Sequence, residues 1–479
     1  MLAAGLVASL SSATAGPTGT AWPQPNHDLA STRASAAAGI DRGNVASLHA
    51  VWRFAFRGKP AESGSFTATP LVVGQTVYLE DMLSNVYALD LGTGRIRWRR
   101  YFDAAAPGPN GLSFADGRLF GTTDAAAFAL DATTGRTLWR HFLATNQARY
   151  VEMGPLTANG IVYVSTIGLL PNGRGVLYAL DARTGDVRWK LDTIKGRYAV
   201  PAQAGGGGAW YPPSVAGSRV YWGIANPYPY GGTRAHPNGG AYLGPALYTD
   251  SLLTLGARTG KLEWYDQVTR HDVRDYDFQL PPLLLSARGR PLVIGAGKAG
   301  RVVAWNRVTH RRVWSTAVGV HRHDLGPLPA QRVSVCPGLL GGVETPMAAA
   351  GGRVFVPVVD LCMKGSATGY EPLDRVNVAK RGRGELVALD AATGRKQWVV
   401  RLPQADFGCA TVSGGVVFTA TYDGTVLGLS TANGAVLWRA RVGGGINSCP
   451  AVADGWLLVG AGVPRGPGSR LELTAFRIT

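Results

Sequence analysis

The stretch "RHDVRDYDFQLP", residues 270–281, crowds aspartates, a histidine and arginines into one short segment before closing on Leu-Pro. Carboxylates at that density suit two chemistries: oxygen ligation of a hard cation, and acceptance of a proton from a substrate hydroxyl. Asp275 and Asp277 are the candidates. Asn226 in "ANPYP" adds a neutral oxygen donor, and Lys298 in "GAGKAGR" adds a cation. Trp210 follows the run "GGGG" (205–208), which reads as a flexible approach to a ring on which a flat ligand can stack. No strand-to-helix context accompanies that run, so it is not a phosphate loop. The plainer reading is that Arg270, Arg274 or Lys298 pairs with these acids to brace a loop, with His271 and Asp272 shaping its backbone. The choice between them depends on the elements that position these residues.

Those elements repeat. "YALDLGTGRIRW" ends at Trp98, "FALDATTGRTLW" at Trp139, "YALDARTGDVRW" at Trp189, "VALDAATGRKQW" at Trp398 and "LGLSTANGAVLW" at Trp438, with weaker copies ending at Trp264 and Trp314. Each reads as strand, Asp-x-x-Thr-Gly turn, strand: the Asp bonds turn amides and the Gly supplies a positive φ. The Trp fills the gap to a neighbouring sheet. Between these units lie small or Pro-flanked strands with Gly turns, such as "GPLTANGIVYV" and "TPMAAAGGRVFV". Each unit therefore has four strands, A to D, and forms a propeller blade. "LELTAFRIT" ends the chain as a C strand, and "NVASLHAVWRF" near the start is a D strand with Trp52. The expectation is all-β: an eight-bladed β-propeller of four-stranded antiparallel blades, its ring closed by the N-terminal outer strand completing the C-terminal blade. Residues 46–479 form this domain, 16–45 a lead-in, and 1–15 a signal peptide.

In such meanders the D–A and B–C loops share one face and the Thr-Gly turns the other. The aspartate loop is a D–A loop, Asn226 follows a B strand, Lys298 sits in a B–C hairpin, and Trp210 opens an A strand. Trp210, Asn226, Asp275, Asp277 and Lys298 are thus expected at one axial mouth. Glu344 and Glu152, which open A strands on the same face, are further candidates for a carboxylate there.

The sequence resembles the pyrroloquinoline quinone (PQQ) dependent alcohol dehydrogenases, over essentially the whole chain after the signal. "GNVASLHAVWRF", "GGGGAWYPPSV", "GIANPYPY", "RHDVRDYD", "GGVETPMA" and "LVALDAATGRKQW" are the stretches that carry the likeness. The resemblance implies Asp275 as catalytic base, Trp210 beneath the quinone and Lys298 bonded to it. It implies Asn226, Asp275 and Asp277 as ligands of Ca²⁺ or a lanthanide, Asp277 matching the extra acid of lanthanide-type members. Two departures accompany it. Leu170 falls roughly where the family's metal-binding Glu belongs, and "FDAAAPGPNGLSF" lacks the vicinal Cys pair that covers the quinone. The expected function is an exported dehydrogenase of a small alcohol or polyol with an external electron acceptor. The alternative is a non-catalytic propeller that binds an envelope polymer or protein.

The first residues, "MLAAGLVASLSSATAGP", form an apolar run ending in an A-x-A pattern, which places the protein outside the cytoplasm, secreted or at the periplasmic or cell-envelope exterior. No later stretch is long and apolar enough for a membrane span. The formal net charge is +17, but the arginines are scattered and no nucleic-acid module is present, so nucleic acid is not an expected partner. Four cysteines in an exported chain suggest disulfides. Cys409 and Cys449 open neighbouring A strands at equivalent heights. Cys336 and Cys362 lie on one face of the same blade. The expected pairs are Cys409–Cys449 and Cys336–Cys362.

Overall fold

A computed structural model describes residues 21–57, 64–106, 108–144, 150–168, 173–195, 197–198, 204–239, 242–372 and 375–479. The signal segment 1–15 and Leu170 lie outside the described residues. Alternating and fully apolar runs between Gly turns give strands throughout; Arg375–Arg381 is the one α-helix among the described residues. Leu71–Val73, Thr76–Glu80, Val86–Asp90 and Ile96–Arg100 form an antiparallel meander, and the pattern recurs. Further four-stranded meanders begin at Ser113–Ala115, Leu156–Ala158, Ser214–Ala216, Leu283–Ala287, Ala348–Ala350, Thr411–Ser413 and Ala451–Ala453. In the last of them the outer strand is His49–Ala55, from the other end of the chain, paired with Glu472–Arg477.

The Thr-Gly turns explain how sheets pack on one another. Asp90 Oδ1 accepts from Thr93 N and Oγ1 at 3.0 and 2.9 Å, closing the turn. Gly94, at φ +68°, then lies flat on Trp52 of the preceding sheet; a Cβ there would meet the indole at 2.6 Å. The same Gly-on-Trp contact joins Gly135 to Trp98, Gly185 to Trp139, Gly260 to Trp189, Gly394 to Trp314 and Gly434 to Trp398. Each indole also donates forward to the next sheet: Trp52 to Leu91 O, Trp98 to Ala132 O, Trp139 to Ala182 O, Trp189 to Ala257 O, Trp314 to Ala391 O, Trp398 to Thr431 O and Trp438 to Leu48 O. Where "VTHRRVW" replaces Gly by His310, that ring stacks on Trp264 at 4.9 Å.

The lead-in is a structural element that sequence reading left as a simple approach segment. Its backbone or side chains reach the inner strands of seven meanders, Trp22 to Val72, Pro23 to Phe114, Gln24 to Thr157, Leu29 to Val215, Ala30 to Leu284, Thr32 to Ala349 and Arg33 to Val412, and the turn after the eighth, Ala38 to Gly455. Arg33 is fully buried at its centre. Its guanidinium donates to Ala410 O, Pro25 O, Pro450 O and Thr411 Oγ1 at 2.7–2.9 Å. These contacts run along the inner strands, so the lead-in is a floor that they share.

Both expected disulfides are present, Cys336–Cys362 with Cα atoms 4.5 Å apart and Cys409–Cys449 with Cα atoms 5.1 Å apart.

Candidate functional site

The aspartate loop is held by its own acids. Asp272 accepts from the backbone amides of Arg274 and Tyr276 at 2.8 and 2.7 Å. Arg274 is not paired with an acid; its guanidinium donates to the carbonyls of His323, Leu325 and Gly326. His271 bonds the carbonyls of Gly244 and Asn238. This scaffolding holds Asp275 at φ +66°, a left-handed conformation uncommon outside glycine and tolerated best by Asp and Asn.

Asp277 is fully buried and fastens two other segments. Its Oδ1 accepts from Asn226 N at 2.8 Å, and its carbonyl accepts from Lys298 N at 3.0 Å. Gly297 makes the second contact possible, since a Cβ there would sit 1.9 Å from Asp277 O. The Lys298 ammonium consequently lies 2.7 Å from Asp275 Oδ2 and 2.6 Å from Asp277 Oδ2.

Trp210 stands between two cavities. One, of about 200 Å³, is lined by Trp210, Asn226, Tyr230, Asp275 and Lys298 among others. The second, of about 190 Å³, is lined by Trp210, Gln279, Lys298, Glu344, Thr345 and Asn447 among others. Glu152 packs behind Trp210, its carboxylate and the indole both against Gly108. Among the described residues the Trp210 indole N–H and one Glu344 oxygen have no hydrogen-bond partner. The other Glu344 oxygen accepts from Gln279 at 3.2 Å.

The glycine run before Trp210 corrects the sequence reading. Gly205–Gly206 is not a flexible approach but pairs with Pro227–Tyr228 as a short ladder. A Cβ on Gly206 would meet Asn226 O at 2.3 Å, and one on Gly208 would meet Thr166 O at 2.5 Å. These glycines are required by close backbone approach.

The mouth is strongly acidic. Burial, reinforced by Asp277 and opposed by Lys298, raises the Asp275 carboxyl well above its ordinary range. Burial lifts Glu344 to about 7 and Asp272 to about 6. Asp250, fully buried and without a protein partner for either oxygen, is raised by burial and by the neighbouring aspartates. Burial disfavours the Lys298 ammonium, but Asp275, Asp277 and Glu344 outweigh it and hold the amine protonated. Asp250 was missed by sequence reading. It stands alone in "YTDSLL", and only the fold turns it inward.

Two groups accompany the family resemblance, and the site treats them differently. A flat quinone fits: an aromatic plate with an unpartnered N–H, a cation beside it and a carboxyl facing the same cavity are all present. A metal ion on Asn226, Asp275 and Asp277, as expected from sequence, does not fit. The space between the two carboxylates holds the Lys298 ammonium, and no cluster of three His, Cys, Asp or Glu side chains suited to a metal occurs among the described residues.

The family described as outer membrane protein assembly factor BamB matches residues 83–332 and 382–475, and the glucose/ethanol/alcohol dehydrogenase β-propeller domain matches residues 22–111. The chain is 25% identical over 522 aligned positions to a quinohemoprotein alcohol dehydrogenase of Comamonas testosteroni, covering 93% of this chain and 73% of that one. It is 27% identical to a lanthanide-dependent methanol dehydrogenase of Methylacidiphilum fumariolicum strain SolV, covering 90% and 82%. The crystal structure of the Comamonas testosteroni enzyme superposes with a TM-score of 0.82 over 96% of this chain and 80% of that one, at 22% identity.

Proposed function

The chain belongs to the PQQ-dependent alcohol dehydrogenase-like family of quinoprotein β-propellers, and from that premise we propose that it is an exported quinone-dependent dehydrogenase of a small alcohol. The observation that carries this reading is the single cavity lined by Trp210, Asn226, Asp275 and Lys298. We read the eight meanders as the blades of one ring, closed by His49–Ala55; the forward chain of Trp contacts supports this. The two disulfides are what an exported chain would carry.

In this reading Trp210 holds the quinone by stacking, and Lys298 donates to it from the side. When bound, such a quinone supplies the two-electron acceptor for the hydride of an alcohol carbon. Asp275 accepts the proton of the alcohol hydroxyl; burial raises its affinity for protons above that of an ordinary carboxylate, which suits a general base. The positive φ aims that carboxyl into the cavity, an example of backbone strain held at a working residue. The paired Lys298 ammonium favours the ionised carboxylate and so opposes the rise that burial imposes. The test is titration of PQQ into the purified protein, followed by quenching of Trp210 fluorescence and by dye reduction with short alcohols. Saturable quenching lost in Trp210→Ala is expected; absence of binding overturns the assignment.

A second reading is favoured by one observation. Among the described residues Lys298 is the only cationic side chain lining either cavity, and it already serves two aspartates. A quinone bearing several carboxylates would find little further counter-charge. A non-catalytic propeller that uses this mouth for an uncharged polar ligand, with an envelope polymer or protein as partner, is the outcome if PQQ does not bind.

A further inference from the structure

Buried carboxylates need compensating positive charge, because loss of water disfavours their ionised form. At this mouth Asp275 and Asp277 face each other, with Asp250, Asp272 and Glu344 near enough to act on them. A hard cation bound by both aspartates would lie roughly 2.3–2.6 Å from each oxygen. The Lys298 nitrogen lies 2.7 and 2.6 Å from those same oxygens. Lysine and a metal ion therefore compete for one point in space. Nor is the lysine a loose surface side chain that has folded inward. Its amide is tied to Asp277 O, and Gly342 packs flat on its carbonyl, where a Cβ would be 2.0 Å away. Val343 N donates to Gly297 O at 3.1 Å, pinning the hairpin from the other side. The residue is 7% exposed.

We propose that Lys298 is a built-in cation that takes the place of the metal ion at this mouth, so that in the native protein its ammonium offsets part of the charge of the two aspartates and Ca²⁺ or a lanthanide does not load there. The disagreement between the family's metal and these residues is then a substitution of charge within the chain. The inference stands whether or not a quinone binds, since it concerns the carboxylates alone.

Tb³⁺ tests it, because Trp210 lines the same cavity and can sensitise the ion's luminescence. Wild-type protein titrated with Tb³⁺ should give no luminescence that depends on Asp277. Lys298→Met keeps the length of the side chain and removes the charge. It should gain a saturable signal, at least tenfold stronger at equal Tb³⁺, together with a higher Tm in La³⁺. Asp277→Asn added to Lys298→Met should remove both gains. A Tb³⁺ signal in wild-type protein that Asp277→Asn abolishes overturns the proposal. So does a folded Lys298→Met protein that gains nothing. Should Lys298→Met fold only when refolded with La³⁺, that rescue supports it. Should it fold in neither condition, the wild-type titration decides alone.

Discussion

At the residue scale the site turns on two carboxyls in different circumstances. Asp275 is on a loop, at a left-handed φ that Asn also tolerates, so Asp275→Asn preserves the backbone while removing the base. Turnover with quinone and alcohol should fall by about 10²–10⁴-fold, the usual contribution of a positioned base. Tm should stay within a few degrees; a matching loss of folded protein would make the residue structural. Asp406 is the contrasting case. It is fully buried, bonded to Thr419 Oγ1 at 2.6 Å and Gly408 N at 3.3 Å, and burial raises it to about 8. The folded state therefore keeps a proton that the unfolded chain gives up near pH 4. Below that pH both states hold it and its contribution is intact. Between about pH 4 and 8 stability is progressively lost, on the order of a few kcal/mol. Asp406→Asn should be less stabilising at pH 5 than at pH 9, where its Tm should exceed that of wild type. Equal pH slopes in the two proteins, by thermal melts, would place the titration elsewhere.

At the element scale the unit is a turn glycine lying on the previous sheet's tryptophan. Trp438, which has an aromatic surround instead, shows what the indole's own packing is worth. It is 8% exposed, donates to Leu48 O at 3.0 Å, and packs edge-on against Phe418 and Phe476. Trp438→Ala opens a cavity between the penultimate and last meanders and should cost about 3–5 kcal/mol in denaturant unfolding. Gly135→Ala tests the other half of the contact. At φ +72° and with Trp98 2.5 Å from a Cβ, it meets both backbone strain and a clash. It should destabilise by more than the roughly 1 kcal/mol of an ordinary exposed Gly position.

At the scale of the whole molecule, the lead-in and the second disulfide act on several meanders together. Arg33 lies among groups from the lead-in and the inner strands that begin at Thr411 and Ala451. Burial lowers its guanidinium to about 9, so the fold tolerates an expensive charge at its centre for the hydrogen bonds it makes. Arg33→Met leaves those carbonyls unpartnered and should lower stability by about 3–5 kcal/mol. It should also weaken protection of amides in the inner strands of several meanders together, by hydrogen exchange. Loss confined to one meander would show that the lead-in is not a common floor. The Cys409–Cys449 bridge joins neighbouring inner strands across 40 residues. Replacing both by Ser should cost up to about 4 kcal/mol.

The repeat was legible in sequence because its information is local. Asp-x-x-Thr-Gly sets a turn, alternation sets strands, and the Trp eight residues on sets the packing distance, whatever the rest of the chain does. Topology then follows from counting, and the shared loop face of Trp210, Asn226, Asp275 and Lys298 follows from topology, as do both cysteine pairs. Three features were beyond it, each because it depends on what a distant segment does. Arg33 looks like any surface arginine until the lead-in and the segments at Ala410 and Pro450 close around it. Asp250 and Asp406 look like loop acids until the fold buries them. The glycines at 205–208 read as slack until Asn226 and Thr166 close on them. The same limit governs the centre of the site. That Asp275, Asp277 and Lys298 share a mouth can be read from their places in the repeat. That the ammonium sits between the two carboxylates, where a metal would have to go, was decided by the Gly297 and Gly342 contacts that press the hairpin against Asp277.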